Sequence, residues 1–285
     1  MDFKQILMAT SLYDWLGKRT YAQSGEDVIA WGELKELKES RTQEIKVPAG
    51  PGLADWGPLR PGPRGSKTGF YVDVGAYHPK LFSNTYLFYK KGWRGICIEP
   101  NPRMKKLFLI ARPRDVFVSV GVGENQELKN SRNQGIKTKR VLEYFEFEDG
   151  AVNTFSAEQA RKNQEEAGRK LIGRRRIPVL PLKTILDKYL PKGQKIDLLS
   201  VDAEGMDLEV LRSNDWKKYR PEMIIAEDLT DRARPYRGFN PSRPGPAGGG
   251  SGGVVRFLDS VGYRLVAKTP YSVIFRVQQG VSLKV

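Results

Sequence analysis

The chain has 285 residues, 39% of them hydrophobic, which suits one α/β domain with insertions, or one domain plus a small appendage. Cys97 is its only cysteine and His78 its only histidine, so an internal disulfide and a Cys/His zinc site are both excluded. A formal charge of +15, from 48 Lys and Arg against 33 Asp and Glu, favours anionic partners such as nucleic acid, a membrane surface or an acidic substrate without choosing among them.

The first residues show no charged segment followed by a sustained apolar run. No stretch reaches the roughly twenty apolar residues that a membrane span needs. A soluble, cytoplasmic protein is expected. Apolar residues at helical spacing predict an amphipathic helix over 3–17, and a second helix is expected over 26–38. Residues 1–46 form an N-terminal helical segment on this reading. The Pro- and Gly-rich stretch 47–68 sustains neither helix nor central strand and reads as a loop. A single domain over 69–285 follows.

That domain opens with a strand at 69–74, a helix over 84–91, a strand at 95–99, a helix to about 112 and a strand at 116–120. Such alternation predicts parallel strands joined by crossovers. Residues 124–150 are polar, with 144–147 as a short strand. A helix over 157–171 follows, then an extended piece at 177–180, a helix over 182–190 and a buried strand at 196–202. Helix 208–213 and strand 222–227 continue the pattern. Residues 232–253 read as a flexible insertion. A helix at 254–261 and two strands, 263–267 and 272–276, close the chain as an antiparallel pair at the sheet edge. The fold class is α/β: a Rossmann-like, mostly parallel sheet with helices on both faces.

Three motifs carry chemistry. Val72-Asp73-Val74-Gly75-Ala76 ends the first strand, where open α/β sheets bind ligands. Asp73 places a carboxylate in an apolar strand, and Gly75 allows close backbone approach. Glu99 ends the next strand, at a distance from Gly75 that suits an acceptor for ribose hydroxyls. Asp202-Ala203-Glu204-Gly205-Met206-Asp207 follows the later strand and puts two carboxylates at the mouth of the sheet; Asp207 is assigned to capping the next helix. The loop Gly75-Ala76-Tyr77-His78-Pro79-Lys80 holds one glycine, so it is poorly suited to a dinucleotide pyrophosphate. S-adenosylmethionine, which carries no phosphate, fits it.

These blocks resemble the FkbM family of methyltransferases. Tyr21-Ala22-Gln23-Ser24-Gly25-Glu26-Asp27, the stretch from Phe70 to Pro79, Phe82-Ser83-Asn84-Thr85, Gly92-Trp93-Arg94-Gly95 and Ile98-Glu99-Pro100-Asn101-Pro102 carry the likeness. Asn153-Thr154-Phe155-Ser156 and Leu199 to Asp207 complete it, in one order across 21–276. The resemblance implies a class I methyltransferase fold, S-adenosylmethionine as donor, and O-methylation of a sugar, polyketide or similar hydroxyl. It implies Asp73, Gly75 and Ala76 beside the methionine and ribose, Glu99 on the ribose, Asn101 near the adenosine and Gly121 with Val122 near the adenine. Gln23 and Glu26 would close over the cofactor.

A hydroxyl acceptor must lose a proton. His78, the one side chain here whose type has an unperturbed pKa near neutrality, competes for that role with Asp202 and Glu204; a turn-shaping role is open for His78. Asn84 and Asn153 either orient the acceptor or brace loops. No metal is required, a carboxylate-bound divalent ion being the one form left open. A small-molecule or glycan acceptor leads. RNA or another polyanion is the alternative, and a non-catalytic binding module is the third reading.

Overall fold

The structure, a computed structural model, describes residues 20–44, 68–124, 140–227 and 253–278. The helix expected over 3–17, the loop 47–67 and residues 232–252 of the insertion lie outside them.

Ten strands are described: β1 (Phe70–Val74), β2 (Arg94–Ile98), β3 (Val116–Val118), β4 (Gly121–Val122), β5 (Arg140–Phe147), β6 (Leu171–Leu180), β7 (Leu198–Val201), β8 (Met223–Glu227), β9 (Tyr263–Lys268) and β10 (Ser272–Val277). The helices are α1 (Glu26–Glu44), α2 (Tyr86–Lys90), α3 (Lys105–Ala111), α4 (Ala157–Glu165), α5 (Leu182–Tyr189), α6 (Asp207–Arg212) and α7 (Gly253–Ser260).

Seven strands make the main sheet in the order β3-β2-β1-β7-β8-β10-β9. Neighbours from β3 through β8 pair parallel, and β10 runs antiparallel to both β8 and β9. The expected C-terminal pair is therefore present, with its second strand inserted inside its first. Parallel strands are covered on both faces, so they read as near-continuous apolar runs; β1 and β8 are buried at every position. Alternate residues divide between two cores. Phe70, Val72, Val74, Leu199 and Val201 pack with Leu182, Ile185 and Leu186 of α5, Val210 and Leu211 of α6 and Leu258 of α7. Tyr71, Cys97, Leu198 and Ile225 face Ala30, Leu34 and Leu37 of α1, Phe88 of α2 and Leu107 and Phe108 of α3.

The polar middle of the chain folds into a second sheet of order β4-β6-β5. This corrects the expected helix over 157–171. The helix stops at Glu165, Gly168 takes a left-handed φ of 61°, and ten residues from Leu171 form β6. Along β6 the exposure alternates through Arg174, Arg175 and Arg176, the period of a half-buried strand. The third strand of the main sheet stops at Val118, and Gly121 and Val122 pair with Val179 and Leu180 of the second sheet instead.

Candidate active site

Strand order reverses at β1: the chain moves outward through β2 and β3, then returns to place β7 on the other side. Beyond the carboxyl ends of β1, β2 and β7 lies a cleft of about 510 Å³, solvent at its mouth included. This is where an open α/β sheet leaves room for a ligand. Gly75, Glu99, Val122, Asn153, Asp202 and Glu204 of the expected residues line it, together with Tyr77, Tyr144, Thr154, Phe155 and Met206.

Gly75 is required by its surroundings. Its φ is 77°, and a Cβ there would run into the Asp202 carbonyl oxygen. The glycine thus lets the exits of β1 and β7 meet. Its N–H and that of Ala76 both donate to the Ile98 carbonyl, at 2.9 and 3.1 Å, which folds the chain across the end of β2 and over Glu99.

Glu99 is buried to 4% exposure. Its Oε2 accepts from the Tyr77 N–H at 2.9 Å and its Oε1 from the Asn101 N–H at 2.8 Å. The Tyr144 hydroxyl stands 3.4 Å from Oε1. Burial raises its pKa to about 7, against the lowering effect of those donors. A carboxylate fixed by two backbone donors still has lone pairs for a ligand's hydroxyls.

At the other side of the cleft, carboxylate oxygens of Asp202, Glu204 and Glu227 lie within 4.8 Å of one another, the one such group of three among the described residues. Burial, followed by the nearby charges of Glu204, Asp207, Asp73 and Glu26, pushes the Asp202 pKa well up. Glu204 holds a left-handed φ of 46°, as does Tyr77 at 43°, a conformation bulky residues rarely adopt. Thr154 latches this turn from the second sheet by donating to the Glu204 carbonyl at 2.7 Å. Asp207 is the first residue of α6 and accepts from the Ala203 N–H; it braces the loop instead of capping the helix.

Other expected residues stand outside the cleft lining. His78 is fully buried, and its Nδ1 accepts from the Lys80 and Leu81 N–H groups at 3.2 and 3.0 Å. That is the turn-shaping role. Asp73 lies on the α2–α3 side of β1, where its carboxylate accepts from the Thr85 hydroxyl 4.0 Å from Arg112 Nη1. Asn84 donates to Ser200 Oγ beside it. Ala76 belongs to the same core as α1 and α2. Asn101 Oδ1 caps the turn into α3 by accepting from the Arg103 N–H. Gly121 is crowded by the Phe155 ring and Val179. Glu26 binds the Ser24 N–H and the Thr269 hydroxyl, and Gln23 is exposed.

Two features escaped the sequence. Tyr144 and Phe155, with ring centroids 4.8 Å apart, arrive from the second sheet and wall the cleft. Arg112, 1% exposed, sits beneath the site as the hub of a buried network. It donates to Asp115 at 2.7 Å, to the Thr85 hydroxyl at 2.8 Å and to Ser83 at 3.3 Å, and its guanidinium lies 5.2 Å from the Tyr71 ring centre.

The family model of the methyltransferase FkbM domain matches residues 73–265. Among solved structures, a methyltransferase FkbM from Methylobacillus flagellatus KT aligns at a TM-score of 0.40 and 14% identity, over 75% of this chain. The alignment takes in 44% of that protein, so the chain spans less than half of its length. No curated protein matches.

Proposed function

The chain belongs to the FkbM methyltransferase family, and from that premise we propose that it moves a methyl group from S-adenosylmethionine to a hydroxyl of a small molecule such as a sugar or polyketide. The observation that carries this reading is the charge of the cleft. Its lining holds Glu99, Asp202 and Glu204 and, among the described residues, no Lys, Arg or His. A cationic sulfonium donor and an uncharged acceptor suit such a lining. A phosphate-bearing acceptor would meet repulsion there without a cation to offset it, which argues against the polyanion despite the net charge of +15.

The residues present fit the donor. Glu99, buried and oriented by two backbone N–H groups, would take the ribose hydroxyls. Val122, Tyr144 and Phe155 offer apolar faces for the base. When bound, the donor supplies a methyl group already activated by its sulfonium, so positioning is most of what the protein must add. Asp202 and Glu204 stand where an acceptor hydroxyl would enter, and burial, which pushes the Asp202 pKa well up, makes its ionised carboxylate a stronger base than an ordinary one. Asn153, fixed by accepting from the Phe147 N–H at 2.7 Å, presents its amide at the cleft wall and orients the acceptor.

Calorimetric titration with S-adenosylmethionine, S-adenosylhomocysteine and NAD, repeated on Glu99→Ala, tests the donor. Binding of the first two, lost in the variant and absent for NAD, is expected. Folded protein that binds neither sulfur nucleoside would refute the reading. An acceptor screen beginning with glycans and ending with RNA then tests the substrate class.

A further inference from the structure

The two most exposed large hydrophobic side chains described are neighbours on one short helix: Leu109 at 57% and Ile110 at 69%. The helical repeat explains the inner face of α3. Met104, Leu107 and Phe108 are buried at the i, i+3, i+4 spacing, and Ala111 continues the stripe half-buried. The opposite face should be polar throughout. It instead carries Leu109 and Ile110 one turn after Lys105 and Lys106, with Arg103 exposed in the turn just before. Residues 100–114 contain five Lys and Arg and no Asp or Glu. Of those five, Arg112 is buried and Arg114 is held over the Tyr89 ring, 3.7 Å from its centre. Asp115, the first acid to follow, is engaged by Arg112 and the Tyr71 hydroxyl.

The charge is concentrated here rather than around the cleft. Residues 140–180, which wall the cleft and include Arg174, Arg175 and Arg176, have eight Lys and Arg against seven Asp and Glu. Five of those cations pair with carboxylates of the same segment at 3.5 Å or less: Arg161, Lys162, Arg169, Arg174 and Arg175. No such compensation reaches Arg103, Lys105 and Lys106 among the described residues.

We propose that the outer face of α3 docks the protein on an anionic phospholipid bilayer, with Arg103, Lys105 and Lys106 at the headgroups and Leu109 and Ile110 in the acyl boundary. Aliphatic side chains flanked by cations are the chemistry of interfacial helices. A second copy of the chain would bring like charges face to face. Nucleic acid would engage the cations but give two exposed aliphatics nothing to bury against. The proposal is independent of the reaction in the cleft.

Co-sedimentation of the full chain with vesicles tests it, comparing pure phosphatidylcholine with phosphatidylcholine containing phosphatidylserine at low ionic strength. Binding to the anionic vesicles alone, weakened by added salt, is expected. Each basic side chain at an anionic surface is worth roughly fivefold in partitioning, so K105Q/K106Q should weaken binding by roughly 30-fold. L109N/I110N should weaken it about tenfold or more, because the acyl boundary no longer receives apolar surface. All four positions are exposed, and an unchanged thermal unfolding curve confirms that the variants fold. Absence of vesicle binding, equal binding to both vesicle types, or binding that neither double variant weakens would overturn the proposal. Binding of an RNA oligonucleotide that K105Q/K106Q weakens, without vesicle binding, would assign the face to nucleic acid instead.

Discussion

Glu99 should make the protein less stable as the pH rises, and the size of that effect follows from its environment. Its carboxyl titrates at about 7 in the fold against an ordinary value of 4.5. Between those values the folded chain holds a proton at Glu99 that the unfolded chain has released, so stability falls with rising pH. Below 4.5 the contribution is fully present, and above 7 it is gone. At 1.36 kcal/mol per pH unit the total is about 3 kcal/mol. Glu99→Gln removes this titration. The amide has one oxygen for the two N–H donors of Tyr77 and Asn101, which costs about 1–3 kcal/mol at every pH. The variant therefore starts out less stable than the parent in acid and recovers about 3 kcal/mol relative to it by neutral pH. Urea unfolding followed by tryptophan fluorescence across this range measures the difference, in which most other titrations cancel. Parallel stability curves for the two proteins would refute the assignment of a raised pKa to Glu99. Added S-adenosylhomocysteine should stabilise the parent above pH 7 and leave the variant unmoved.

Arg112→Met strands the Asp73 and Asp115 carboxylates in the core and should cost about 3–5 kcal/mol in urea unfolding; a loss under 1 kcal/mol would mean that the network contributes little. Gly75→Ala should both destabilise the fold and abolish donor binding, since the new methyl meets the Asp202 carbonyl in a backbone conformation that alanine disfavours. His78→Ala removes the acceptor of two buried N–H groups and should lower stability by about 1–3 kcal/mol, while calorimetry finds donor affinity unchanged. Loss of donor affinity with intact stability would return His78 to the site.

The parallel sheet was legible because its strands are buried on both faces and so declare themselves as apolar runs ending in Gly75, Glu99 and Asp202. The second sheet was legible only at 144–147 and 177–180, the ends of β5 and β6. β6 puts three arginines in a row on a strand whose alternation is half solvated, and polar strands next to a helix with good formers read as more helix. Tyr144 and Phe155 lie 45 and 56 residues after Glu99 in the chain. Only the packing of the second sheet on the first brings them to the cleft, and no local spacing encodes that. Arg112 resembled an ordinary charged helix end before a proline. Its burial is visible only once α3 is laid over Tyr71 and Asp73.

Asp73 and Glu99 show which part of the site a sequence can carry. Both are carboxylates at the carboxyl ends of adjacent parallel strands, paired through Asp73↔Cys97 and Val74↔Ile98. Position alone gives them the same standing. What separates them is the twofold repeat of the strand. Asp73 shares a face with Tyr71 and Ser200 and is directed into the packed side, where Thr85 and Arg112 satisfy it. Glu99 lies one residue past β2, where the ladder has ended, and the crossing of Gly75 and Ala76 over Ile98 leaves its carboxylate at the floor of the cleft. A carboxylate inside the ladder inherits the face that parity dictates, and one just beyond it is free to turn toward a ligand.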